Sequence, residues 1–193
     1  LLEQHHHLEA GARVEEAARA GAQLVLLPEY FAILGTRGTD KVRVAERDGD
    51  GPQQAFLSRT ARRHRIVLIG GSVPIASADP ARVRSACLAY GPDGERLARY
   101  DKIHLFRFDN GRERYDESRV IEAGAAPRVF ELPSRDGHRW RVGLSVCYDL
   151  RFPELYRALA ADLLLVPSAF THVTGEAHWH LLLRARAVEN LAY

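Results

Sequence analysis

The chain has 193 residues, of which 46% are hydrophobic and 27% charged, and its 27 Lys and Arg against 25 Asp and Glu leave a formal net charge of +2. A length of this order buries the core of one domain, so residues 1–193 are expected to form a single one. The near-neutral balance, with arginines scattered among acids, carries no electrostatic footprint for nucleic acid or an anionic membrane, and no run is long enough to cross a bilayer.

Two cysteines, Cys87 and Cys147, make no disulfide framework. With no signal-peptide pattern after Leu1, a reducing, cytoplasmic setting is expected. The sequence opens on Leu1 rather than Met and closes at Tyr193 directly after a helical stretch. It reads as a segment of a longer protein.

In chain order, the Ala, Glu and Arg content of 8–20 predicts a helix, closed by Gly21. The apolar run 24–27 predicts a strand covered on both faces. Pro52 opens a predicted helix over 52–65, followed by a buried strand over 66–69 that ends at Gly70-Gly71. Residues 85–90 and 95–100 read as two strands joined by the turn Gly91-Pro92-Asp93-Gly94. A strand over 139–146 alternates Val142, Leu144 and Val146 with small Gly143 and Ser145, as where a neighbour approaches one face closely. A helix over 153–160, a strand over 163–166 and a long helix over 176–191 complete the chain. The alternation predicts an α/β fold, a mixed sheet with helices outside.

Three polar residues stand at the ends of apolar runs: Glu29, Lys102 and Cys147. In α/β sheets ligands collect beyond the strand ends, where such residues converge. Cys147, between a strand and the helix beginning at Pro153, has the logic of a nucleophile elbow, with the Tyr148 N–H as oxyanion donor. By position alone it is either that or a buried structural thiol, whereas Cys87, inside an apolar strand, reads as structural. Glu29 and Lys102 taken singly read as surface charges; together with Cys147 they supply the base, cation and thiol of covalent amide hydrolysis. A Cys–His hydrolase using His104, His172, His178 or His180 is a rival reading. So is a metal site at His5–His7 or at His172, His178 and His180, although His178 and His180 diverge on a helix.

The motifs Leu26-Leu27-Pro28-Glu29, Tyr100-Asp101-Lys102-Ile103-His104-Leu105-Phe106 and Gly143-Leu144-Ser145-Val146-Cys147-Tyr148-Asp149-Leu150-Arg151-Phe152-Pro153-Glu154 resemble, in order and approximate spacing, those of the nitrilase-related carbon–nitrogen hydrolases. Ser168-Ala169-Phe170, Thr174-Gly175-Glu176-Ala177-His178-Trp179 and Leu183-Arg184-Ala185-Arg186-Ala187 are similar to the Nit-type branch, which holds deaminated-glutathione amidases and omega-amidases. The resemblance implies a four-layer α-β-β-α sandwich, here without its first and last strands, and homo-oligomers built on a dimer. His5-His6-His7 departs from its pattern. The resemblance also implies hydrolysis of a small carboxamide to acid plus ammonia through a cysteine thioester, with no cofactor and no metal. The deaminated-glutathione type is favoured over an omega-amidase acting on α-ketoglutaramate, or an inactive assembly fragment.

Glu29 is then the general base, Cys147 the nucleophile, and Lys102 both lowers the thiol's pKa and steadies the oxyanion. Glu117 matches a second glutamate close to these three. Tyr148, Phe170, Thr171 and Thr174 are expected at the substrate, and Asp149 and Arg151 are expected to hold the turn around the nucleophile. The helix carrying Trp179, Leu182 and Leu183 is either a subunit interface or core packing.

Overall fold

The structure, a computed structural model, describes residues 2–31, 33, 35, 38–112 and 114–193, residues 2–6 by their backbone. Helix α1 (Leu2–Arg19) leads into β1 (Leu24–Leu26), the short α2 (Asp40–Arg43) and α3 (Pro52–His64). Strands β2 (Val67–Ala76), β3 (Val83–Tyr90) and β4 (Arg96–Asp101) follow, then a small hairpin of β5 (Arg107–Asp109) and β6 (Arg114–Asp116). The second half holds β7 (Arg128–Pro133), β8 (Arg139–Leu144), α4 (Pro153–Leu159), β9 (Leu163–Leu165) and α5 (His172–Asn190).

The strands make two main sheets: β1-β2-β3-β4, parallel only at β1–β2, and β7-β8-β9, antiparallel then parallel. Alternation along the strands sorts side chains into two cores. Val67, Ile69, Cys87, Ala89 and Tyr100 point toward Phe130, Leu132, Val142 and Leu144 of the other sheet. Leu68, Val73, Ile75, Ala86 and Leu88 point the opposite way, onto Val14 of α1 and Leu57 and Ala61 of α3. Gly143 turns its free side to α4, where a Cβ would meet Leu159 Cδ1 at 3.0 Å and Ala161 Cβ at 3.1 Å. The order helix, sheet, sheet, helix is the expected four-layer α-β-β-α sandwich.

The predicted elements are found, with shifted ends. Strand β2 runs through Gly70-Gly71, where a stop was expected, because the register slips between Gly70 and Val73 and the strand continues past the bulge. The bulge makes room for the segment after β1: a Cβ on Gly71 would lie 2.2 Å from the Leu27 carbonyl oxygen and 2.3 Å from that of Pro28. Only glycine lets the chain carrying Glu29 cross so close. Strand β7 was not predicted, and neither was the β5–β6 hairpin. The side chains of His5 and His6 lie outside the described residues, while His7 stacks on Phe56 with ring centroids 4.7 Å apart.

Helix starts follow local chemistry. Pro52 and Pro153 sit in the first turns of α3 and α4. The buried Glu46 carboxylate accepts from the backbone N–H groups of Gln53 (2.5 Å) and Gln54 (3.1 Å), capping α3.

Candidate active site

Strand ends bring Glu29, Lys102 and Cys147 together. Beyond β1, the chain is tied to β2 by the Leu27 N–H donating to the Ile69 carbonyl (2.9 Å). Glu29 follows, 4% exposed, at the bottom of a cleft. Lys102 comes directly after β4, its N–H donating to the Ser85 carbonyl at 2.9 Å, and is fully buried. Cys147 follows β8 and opens a 3₁₀ turn, Cys147–Arg151, that leads into α4. Its φ of 51° is left-handed, and its N–H donates to the Pro167 carbonyl at 2.9 Å. A non-glycine residue held there stores backbone strain, as at the elbows that expose nucleophiles.

The Lys102 ammonium bridges two carboxylates, reaching Glu29 Oε1 at 3.2 Å and Glu117 Oε2 at 2.9 Å. Glu117, fifteen positions on, is thereby placed with the other three. It also accepts from the Phe106 N–H (2.7 Å) and the Tyr30 hydroxyl (2.8 Å). The Ala169 N–H donates to Glu29 Oε2 at 2.8 Å. The Cys147 thiol lies close enough to Glu29, Lys102 and the Ala169 N–H for all three to act on its charge.

These contacts set the charges. Burial opposes a charge on Lys102, but Glu29 and Glu117 outweigh it and hold the ammonium above its usual range. Burial also works against the Glu117 carboxylate, yet Lys102 and the donors from Phe106 and Tyr30 hold it below the usual carboxylate range. Burial and then the neighbouring Glu29 push the Cys147 thiol up to about 12, against the pull of Lys102. Lys102 pulls the thiol's pKa down as expected, but desolvation and the Glu29 carboxylate outweigh it, so the net shift is upward. At neutral pH the group is a thiol with a carboxylate acceptor beside it.

The four residues expected at the substrate, Tyr148, Phe170, Thr171 and Thr174, line one cavity of 590 Å³ together with Glu29, Glu117 and Cys147. That volume lies within the roughly 300–1,000 Å³ of small-molecule sites. Thr171 has a second task, as the N-cap of α5, its Oγ1 accepting from the Thr174 N–H at 3.4 Å.

Asp149 holds the turn as expected. Its buried carboxylate accepts from the Val146 N–H (2.8 Å), the Tyr100 hydroxyl (2.8 Å), the His104 N–H (3.0 Å) and His104 Nδ1 (2.7 Å). Arg151 does not share that task. Its guanidinium lies 5.8 Å from the Tyr148 ring centroid and 5.7 Å from that of Phe170, beside His178 Nδ1 at 3.3 Å, on the cavity wall. The cation that does support the turn is the buried Arg186, donating from Nε to the Leu150 carbonyl at 3.0 Å.

The rival histidines have other partners: His104 is bound to Asp149 and stacked on Phe152, His178 faces Arg151, and His172 stands at the surface near Glu176. Among the described residues no group of three or more His, Cys, Asp or Glu is placed to hold a metal ion, and no helix is long and apolar enough to cross a membrane. Sequence reasoning missed Tyr30 and Lys41, which face the cavity from the loop after Glu29. Their one sequence signal was proximity to the Glu29 motif.

The sequence profile of the family described as carbon-nitrogen hydrolase matches residues 3–193. The chain is 41% identical over 187 residues to the chloroplastic omega-amidase of Arabidopsis thaliana, a match covering 93% of this chain and 49% of that protein. It is 39% identical over 191 residues to the deaminated glutathione amidase of Synechocystis sp. PCC 6803, covering 96% of this chain and 68% of that one. It thus spans from about half to about two thirds of these relatives. Among solved structures, an amidase from Nesterenkonia sp. AN1 whose active-site cysteine carries acrylamide joined by Michael addition superposes with a TM-score of 0.80. It is 29% identical and covers 100% of this chain and 71% of that one. With its fold, its ordered motifs and this match along nearly its whole length, the chain belongs to the carbon–nitrogen hydrolase family.

Proposed function

We propose that the protein hydrolyses a small carboxamide through a thioester on Cys147, in the manner of the deaminated glutathione amidases. The observation that carries this reading is that Cys147 and Glu29 face one cavity, with the Glu29 carboxylate held by Lys102 at 3.2 Å and the Ala169 N–H at 2.8 Å.

As the sulfur attacks the amide carbon, Glu29 takes the thiol proton in the same step, because a thiol held up at about 12 is not ionised beforehand. The oxyanion is stabilised by the Lys102 ammonium and the Tyr148 N–H. Glu29 returns the proton to the nitrogen as the C–N bond breaks, releasing the amine, which is ammonia for a primary amide. The same carboxylate then deprotonates a water that attacks the thioester and frees the acid. Glu117 positions Lys102, and Tyr148, Phe170, Thr171 and Thr174 enclose the acyl group.

Omega-amidase action on α-ketoglutaramate is the second reading, favoured by the 41% identity to the Arabidopsis protein. The Ser168-Ala169-Phe170 and Leu183-Arg184-Ala185-Arg186-Ala187 forms support the first reading. Acid and amine release from deaminated glutathione, α-ketoglutaramate and a simple nitrile, measured side by side, tests this. The account expects the first to give the highest kcat/KM and the nitrile none; a preferred α-ketoglutaramate selects the second reading, and turnover of neither amide overturns both.

We further read residues 1–193 as one hydrolase domain in a reducing, cytoplasmic setting, which the free thiols of Cys87 and Cys147 support. Assembly on a dimer is supported by α5, which leaves Val173 (74%), Leu181 (65%) and Val188 (75%) exposed.

A further inference from the structure

Besides Arg151, the cavity is lined by Lys41, Arg114 and Arg119. Lys41 stands on α2, in the loop that follows Glu29, and lines the same space as Cys147. Its ammonium lies 4.0 Å from the centre of the Tyr30 ring, while the hydroxyl of that ring donates to Glu117. The ring contact fixes where the charge sits without neutralising it.

The nearby acids are already engaged. Glu117 is shared among Lys102, Tyr30 and the Phe106 N–H, and Glu29 between Lys102 and the Ala169 N–H. Asp116, also on the cavity wall, lies 3.4 Å from Arg107 and accepts from the Ser118 N–H at 3.2 Å. Among the described residues no carboxylate forms an ion pair with Lys41. Burial holds Lys41 below the usual lysine range, with Glu117 and Glu29 pulling it only partway back. A half-buried ammonium facing a cavity with no carboxylate in direct ion-pair contact among the described residues is poorly solvated, and an incoming anion relieves that cost. Arg119 lines the same wall and adds to its positive character.

We propose that Lys41, held over the Tyr30 ring, is a specificity-determining residue that binds a carboxylate of the substrate on the Glu117 side of the cavity. Arg151 lines the same cavity against other rings, those of Tyr148 and Phe170. The turnover part of this assignment rests on the amidase reading above; the binding part does not.

The test compares Lys41→Met and Lys41→Arg with the unmodified chain on two primary amides, glutaramate and pentanamide, which differ by a terminal carboxylate. The preference for glutaramate, as a ratio of kcat/KM values, should fall about tenfold or more in Lys41→Met, with the loss in KM. Lys41→Arg should retain it within about threefold, since the charge is kept. An unchanged ratio in Lys41→Met overturns the proposal.

Glutarate binding by calorimetry, with Cys147→Ala as the background, makes the result independent of turnover. Adding Lys41→Met should weaken binding at least about tenfold, and an unchanged Kd overturns the subsite. Should the unmodified chain hydrolyse neither amide, the proposed function fails, while the binding measurement still decides the role of Lys41. Thermal melting of each variant separates a lost charge from a lost fold.

Discussion

Cys87 and Cys147 carry the same side chain in two different regions of the molecule. Cys87 sits on β3 between the two sheets, fully buried, paired across the ladder with Tyr100, and burial with the nearby Asp149 raises its thiol well above the ordinary range. Cys147 stands at a left-handed turn on the edge of a cavity that it shares with Glu29, which Lys102 steadies. Both thiols are protonated at neutral pH, so thiolate population does not distinguish them. The difference is that Cys147 has an adjacent base and an open face toward a ligand. Reactivity here is a property of partners and access more than of a low thiol pKa.

The sharpest way to break this comparison is to remove each thiol in turn. Cys147→Ala should lower kcat/KM for an amide by about a thousandfold or more with the melting transition retained, read by product release and thermal unfolding. Cys87→Ala should leave kcat/KM within about twofold and cost about 1 kcal/mol of stability from lost apolar burial. Comparable activity losses in the two variants would erase the distinction.

Lys102→Met tests the partners. It leaves the carboxylates of Glu29 and Glu117 buried without their cation, and should cost about 3–5 kcal/mol in denaturant unfolding together with most of the activity. Glu29→Gln removes both the proton acceptor and a charge that raises the thiol. It should therefore abolish acylation while bringing the Cys147 pKa below about 12, as read by thiolate absorbance against pH. Cys87 should titrate unchanged in that variant.

The smallest expected effect concerns Glu117. Its folded-state pKa lies below the ordinary value, so it stabilises the fold at pH above its unfolded value, about 4.3, and that contribution is lost as pH falls through the folded value. Unfolding of the unmodified chain and of Glu117→Gln, followed from pH 7 downward, should differ most at neutral pH and converge in acid. A gap that widens in acid would contradict the sign.

The strand-end placement of Glu29, Lys102 and Cys147 was legible because apolar runs announce buried strands, and a lone reactive residue after each one is conspicuous. Most helices were legible for similar reasons, through Ala-rich stretches and prolines in their first turns. Strand β7 was not read, although Phe130 and Leu132 alternate with exposed Glu131 and Pro133; six residues among charged neighbours make a weak pattern. Gly70-Gly71 looked like a stop, and proved to be the bulge over which the Glu29 segment crosses.

In the site, Arg151 was expected to help Asp149 hold the turn around the nucleophile, because both charges lie within it. The Asp149 carboxylate is filled by the adjacent Val146 N–H and by Tyr100 and His104, the last two concealed by their sequence distance from the turn. Lys41 and Tyr30 offered only their nearness to the Glu29 motif, because their roles come from the contact of Tyr30 with the distant Glu117 and of Lys41 with the Tyr30 ring, which no periodicity records.

The central claim, a covalent thioester on Cys147 formed with Glu29 as base, is tested most directly by acid-quenching the protein during turnover of an amide and mapping its peptides by mass. The account predicts an acyl adduct on the peptide containing Cys147, absent in Glu29→Gln, and an unmodified peptide containing Cys87. Amide turnover without any adduct on Cys147, or with the adduct on Cys87, would contradict it.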